Sequence, residues 1–395
     1  MKIKQELEDF QVEEVAEVSP GRDGPFALYR LEKKGWTTPD ALAAIRRRWK
    51  IDHRRMSYGG LKDRHAWTWQ YLSIFRGPQR NLTHERLSLT YLGQVAAPYT
   101  SHDIQANRFR LTLRAFHPNE AAIAEQALEE VRLQGVPNYF DDQRFGSVTS
   151  GGAFVARELI RGDYDKALRL ALTGPYEHDR AAQKKEKSIL RKHWGDWPAL
   201  LEYLPRGHAR SLAAYLRDHP ADLRGALDRL RPELRGLYLS AYQSHLWNRM
   251  LARWVRDHVP ADQLIDVPLR LGPYPMPRAL NDNQLAELSA LQLPLPSARM
   301  QLAADDPRRP LIESVLAEEG LTIEQMKLKG MQTFFSRGER AGLCLPRNLK
   351  WEAAADENHP ARRKLLLTFD LPRGSYATLI VKRIAPRTFP NDTKP

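Results

Sequence analysis

Apolar and polar positions follow two different rhythms along this chain. Near the amino terminus, Phe10–Val18 alternates apolar with acidic residues, the period-two pattern of a half-buried strand. Phe26–Leu31 predicts a second strand. Thr38 and Pro39 then supply a cap and a first helical position for a helix running to about Lys50. Met56–Tyr58 and Trp67–Phe75 predict strands on either side of a charged loop. Asn107–Ala115 alternates strictly and is followed by a helix from Pro118 to Gln134, stopped by Gly135. Strand character returns near the carboxyl end, at Lys364–Phe369 and again at Tyr376–Lys382 across the turn Leu371-Pro-Arg-Gly-Ser375.

The middle of the chain runs on the helical period. Ala153–Ile160, Lys166–Leu172, Ala209–Leu216 and Leu234–Asp257 each repeat apolar residues at helical spacing. From about Val259 to Leu345 the elements are mixed and rich in proline and leucine. The pattern predicts one α/β domain built from both chain ends, residues 1–150 with 346–395, and a mainly helical domain inserted between them at 151–345. A disordered tail is expected over Pro386–Pro395.

Composition sharpens this picture. A chain of 395 residues is long enough for two domains. Its 42% hydrophobic and 28% charged content suits a globular protein rather than a disordered one. No apolar run nears the roughly 20 residues of a membrane span, and the start of the chain lacks a signal-peptide core, so a cytoplasmic location is expected. Cys344 is the only cysteine, which excludes an internal disulfide; its apolar neighbours predict a buried thiol. The formal net charge of +13 points to a polyanionic partner, and nucleic acid fits better than a membrane because no basic amphipathic anchor is present.

Candidate chemistry concentrates in Tyr58–Gln70, where Asp63 stands between Lys62 and Arg64 after Gly59 and Gly60. Flanking cations favour the ionised carboxylate, which can serve as nucleophile or base. Local sequence alone favours a surface loop whose charges pair weakly with each other. His65 is either a base or a hydrogen-bonding partner. The segment Pro137–Gly146 packs three aromatics, an amide and an arginine together, either to stack on a base or to anchor a loop in the core. Arg180–His193 carries six Lys or Arg against one Glu, as a solvated face or as a contact for RNA phosphates. No P-loop, dinucleotide fingerprint, serine-hydrolase elbow or metal-ligand spacing is present, so neither a nucleotide cofactor nor a metal is expected.

Six segments, in order, resemble the TruD family of tRNA pseudouridine synthases. They are Glu8–Glu14, Gly60-Leu-Lys-Asp-Arg-His-Ala-Trp-Thr-Trp-Gln70, Asn107–Arg114, Asn138–Gly146, Ser240–Asn248 and Leu371–Thr378. The resemblance covers most of the chain. It implies a pseudouridine synthase core with a mixed, largely antiparallel sheet, carrying the family's inserted domain. It also implies conversion of a tRNA uridine, at position 13, to pseudouridine without a cofactor. Asp63 would be the nucleophile. Phe10, Asn138 and Tyr376 would contact the target nucleotide, Phe140 would pack in the pocket, and Lys4 would pair with the carboxylate. The aromatic residues could hold a base flipped from its stack.

Asp141 stands where the family pattern has glycine, and it is expected to point outward. The inserted domain looks longer than in the shortest bacterial members. An RNA binder that kept only the scaffold has no need of Asp63, and an RNA-cleaving hydrolase lacks the ligand sets its chemistry uses.

Overall fold

The computed structural model describes residues 1–388 apart from 178, 329 and 332, with the backbone alone at 386–388. The chain divides into two compact units, one of Met1–Val136 with Cys344–Pro395 and the other of Pro137–Leu343. The Asn138–Gly146 segment therefore belongs to the second unit.

The first unit is built on strands β1 (Phe10–Ala16), β2 (Phe26–Lys34), β3 (Met56–Tyr58), β4 (Trp67–Phe75), β5 (Leu82–His84), β6 (Leu87–Val95) and β7 (Ile104–Phe116). With Arg347–Ala355 and Arg363–Leu371 they form one nine-stranded sheet. Its order from the carboxy-terminal strands is Arg347–Ala355, Arg363–Leu371, β7, β1, β4, β2, β6, β5, with β3 added on β4. β1 and β4 run parallel and the other pairs antiparallel, so the sheet is mixed and largely antiparallel as expected.

Helix α1 (Thr38–Trp49) covers β2, β4 and β6 through Ala41, Leu42 and Ile45 against Tyr29, Leu31, Leu72 and Leu89. Helix α2 (Pro118–Gln134) ends at Gly135, whose φ of 70° is open to glycine at little cost. Its buried alanines, Ala121, Ala124 and Ala127, leave room for close helix packing.

Three expectations need correction. The first concerns Tyr376–Lys382, which is not a strand but the start of a carboxy-terminal helix, Ala377–Thr388. Ala377, Ile380, Val381 and Ile384 are buried, and their i, i+3, i+4, i+7 spacing is a helix face. A seven-residue window is too short to show that period. The helix packs on α2, where Arg383 donates to Glu130 at 2.9 Å. Its last three residues overlap the expected disordered tail, and 389–395 lie outside the described residues.

The second concerns the cap of α1, which is Thr37: its hydroxyl accepts from the Asp40 amide at 3.1 Å. Thr38 is fully buried and has a different task, described below. The third concerns Asp141, which is buried, with 1% exposure, rather than outward. Its backbone is extended, φ −90° and ψ 172°, where it precedes the 3-10 turn Asp142–Phe145, so no glycine is required there.

The second unit is mainly helical: α3 (Val155–Arg161), α4 (Tyr164–Thr173), α5 (Ala181–Lys192), α6 (Trp197–Tyr203), α7 (His208–Asp218), α8 (Leu223–Asp228) and α9 (Pro232–His258). Two further helices and short strands, including the hairpin Leu264–Leu269 with Gly272–Pro277, complete it. Cys344 is buried and takes part in no disulfide. No helix among the described residues is long and apolar enough to cross a membrane.

Candidate active site

The Asp63 loop joins β3 to β4 without regular structure, so its polar backbone needs partners from outside. Four side-chain contacts supply them. The Gln70 amide donates to the Gly60 carbonyl at 3.2 Å. The Thr38 hydroxyl accepts from the Lys62 amide at 2.9 Å and donates to Gln70 Oε1 at 2.9 Å. Lys33 Nζ donates to the Asp63 carbonyl at 3.0 Å and reaches the Lys62 carbonyl at 3.4 Å. These anchors project from β2, β4 and the first turn of α1, and all three are buried. Of the two loop glycines, a methyl group on Gly59 would collide with Ile104 and Tyr99, whereas Gly60 has open space.

The carboxylate faces a cation brought in from the amino terminus. Lys4 Nζ lies 2.5 Å from Asp63 Oδ2 and 4.2 Å from the centre of the Phe10 ring. Lys4 reaches that position from a left-handed backbone, φ 54°. For a lysine this conformation is uncommon and is held by its surroundings. A two-way backbone bridge between Lys2 and Arg114 fixes the segment to β7, and Asn358 and His359 hold Glu6 and Gln5.

Asp63 keeps 36% of its side chain exposed. Burial of the rest would raise its pKa. The Lys4 hydrogen bond and charge, with the Arg64 and His65 amides, outweigh that effect and hold it below the ordinary carboxylate value. The structure thus brings Lys4, Phe10 and Asp63 together around an ionised carboxylate. Lys62 turns away, donating to Asn107 Oδ1 at 2.8 Å and pairing with buried Glu14 at 2.8 Å. His65 is exposed. Tyr376 is half-buried just before the carboxy-terminal helix, where its carbonyl accepts from the Leu379 amide.

Asn138 and Phe140 form their own cluster in the second unit. The Ser240–Asn248 segment of α9 supplies its frame: Asn248 clamps the Phe140 backbone from both sides, accepting from its amide and donating to its carbonyl, each at 2.8 Å. The Phe140 ring meets Trp247 edge-on at 5.5 Å. Asn138 Nδ2 donates to the Ala341 carbonyl at 3.1 Å. Arg340 donates to the Asn138 carbonyl at 2.8 Å and to its Oδ1 at 2.7 Å, while its guanidinium lies 4.2 Å from the Phe140 ring centre. One arginine therefore sets the amide and covers the aromatic ring.

Lys33, Thr38 and Arg340 escaped sequence reading. A lysine at the third position of the alternation Tyr29, Leu31, Lys33 is the one signal that was present. In α5, Lys187 is buried against Asp179, and the other five cations expected from Arg180–His193 are exposed. No group of His, Cys, Asp and Glu among the described residues is placed to hold a metal.

The family model for tRNA pseudouridine synthase D (TruD) matches residues 1–384. A Methanocaldococcus jannaschii protein named "Probable tRNA pseudouridine synthase D 2" is 31% identical over 390 residues, covering 97% of this chain and 91% of that protein. One from Aquifex aeolicus is 27% identical over 392 residues, covering 97% and 98%. The crystal structure of a TruD protein from Methanosarcina mazei superposes with a TM-score of 0.72 at 26% identity, covering 97% of this chain and 92% of that one. With a match over nearly its whole length, the chain belongs to the tRNA pseudouridine synthase D family, a family of isomerases.

Proposed function

We propose that this protein isomerises a uridine of tRNA, at position 13, to pseudouridine, with Asp63 as the nucleophile. In this reading the C1′–N1 bond breaks, the uracil turns, and C5 bonds to C1′. C5 releases its hydrogen as a proton while N1 gains one, so the atoms balance without a cofactor. The carboxylate that attacks must be ionised, fixed and partly open to a base.

The observation that carries the reading is the Lys4–Asp63 pair, 2.5 Å apart on a loop whose backbone is anchored by three buried side chains. We also assign Phe10, whose ring is buried beneath the Lys4 ammonium, to contact with a base withdrawn from its stack. Asn138, Phe140 and Tyr376 are the other residues we assign to the target nucleotide. We take the first unit as the catalytic domain, the second as the inserted domain, and the cytoplasm as the place of work. Exposed cations such as those of α5 suit a tRNA backbone, and binding through them weakens as salt rises.

The test uses tRNA tritiated at uracil C5. The wild type should release tritium to water and Asp63→Asn should not. Equal release by both proteins, or none by the wild type, overturns the proposal.

A further inference from the structure

Lys33 is fully buried at the end of β2, on the sheet face that also carries Tyr29 and Leu31. A charge there is costly unless every proton finds an acceptor. Its three ammonium protons have three: the carbonyls of Trp36 at 2.6 Å, Asp63 at 3.0 Å and Lys62 at 3.4 Å. Among the described residues no carboxylate side chain forms an ion pair with it, so two of its three partners are backbone atoms of the reactive loop.

A lysine kept only for packing gains nothing from that arrangement, because an apolar side chain of the same length fills the site without the desolvation cost. The carbonyls, in contrast, lose their partner if the lysine goes. We infer that Lys33 is a positioning residue, which grips the loop from beneath and sets the place of the Asp63 carboxylate against Lys4. The inference rests on Asp63 being the reacting group.

Burial pushes the Lys33 ammonium down to about 8; the Asp63 charge pulls it up and the Lys62 charge pushes it down. Around these three, Glu14 pairs with Lys62 and Lys4 pairs with Asp63. Well below pH 8 the grip is therefore complete, and as pH rises through about 8 the ammonium loses its charge and one donor. The loop loosens as Lys33 deprotonates.

The test combines kinetics with hydrogen–deuterium exchange on the full chain. In Lys33→Met, kcat for tRNA should fall about 100-fold, the scale of a misplaced reacting group. KM should stay within about threefold, since substrate contacts remain. Peptides covering residues 59–66 should exchange faster, while those of α2 do not change. Wild-type kcat should decline above about pH 8, and this decline should vanish in Lys33→Met. Wild-type kcat in the variant, an alkaline decline that persists in it, or unchanged loop exchange would each overturn the inference.

If Lys33→Met fails to fold, the wild type still decides. Loop exchange corrected for its intrinsic pH dependence must rise between about pH 7 and pH 9.5, and a flat profile overturns the inference. An active Asp63→Asn would instead remove the nucleophile assignment and leave the exchange result standing, so the two failures are distinguishable.

Discussion

Replacing Thr38 with valine should weaken the protein and its chemistry together. Valine keeps the branched shape and the volume, so packing against neighbours is nearly preserved, and only the hydroxyl is lost. That hydroxyl serves two partners, the Lys62 amide at 2.9 Å and Gln70 Oε1 at 2.9 Å. Each polar group left without a partner costs about 1–3 kcal/mol, which brackets the total at about 2–6 kcal/mol. Lys62 is only partly buried and its amide can move toward water, so the low end applies, about 2–3 kcal/mol.

The relaxation that spares stability displaces Asp63, and displacing the proposed nucleophile should lower kcat about tenfold or more. Thr38→Ser keeps both hydrogen bonds and should cost only about 1 kcal/mol for the lost methyl, with kcat preserved. Thr37→Ala removes the true cap, at about 1 kcal/mol, and should also leave kcat intact. Urea unfolding and tritium release from C5-labelled tRNA measure the two effects. Unfolding of Thr38→Val within about 0.5 kcal/mol of wild type, the size of an ordinary surface change, together with normal kcat would refute this role of the hydroxyl.

Three further outcomes follow from the same geometry. Asp63 has a depressed pKa, so its ionised form is complete above the ordinary carboxylate range and is lost as pH falls through the lowered value. Lys4→Gln removes the charge that opposes burial; the acid limb of the kcat profile should move to higher pH, and an unmoved limb refutes the pairing. Arg114 is buried among Asp9, Asp356 and Glu357, so Arg114→Met strands buried carboxylates and should cost about 3–5 kcal/mol in denaturant unfolding. A loss under about 1 kcal/mol would show that the cluster relaxes. Arg340→Met should lower kcat by freeing the Asn138 amide, and Arg340→Lys should not restore it, since an ammonium cannot contact Asn138 at two points while lying flat on Phe140. Steady-state kinetics of both variants decide this.

Much of this molecule is determined locally, and that part can be read from sequence. The alternation of Asn107–Ala115 and the Pro118–Gln134 helix with its Gly135 stop depend on side-chain period and capping, which are properties of neighbours in the chain. The Asp63 loop stands out for the same reason, as a dense polar segment between two strands. The pairing of Lys4 with Asp63 was expected from resemblance, because nothing in the spacing of two residues so far apart fixes their distance.

Tertiary structure alone decided the rest. Lys33 lies just beyond the apolar run that marks β2, and Thr38 beside a better cap, so both look like exposed polar residues. They become loop anchors only when β2, α1 and β4 converge under residues 60–64. Tyr376–Lys382 presents the opposite case: a short apolar run fits either strand or helix, and packing on α2 chose the helix. Asp141 is buried together with Phe145 of the turn that follows it, a placement that its own neighbours in the chain do not show. In each case the deciding contact joins residues far apart in sequence, and local pattern carries no information about such contacts.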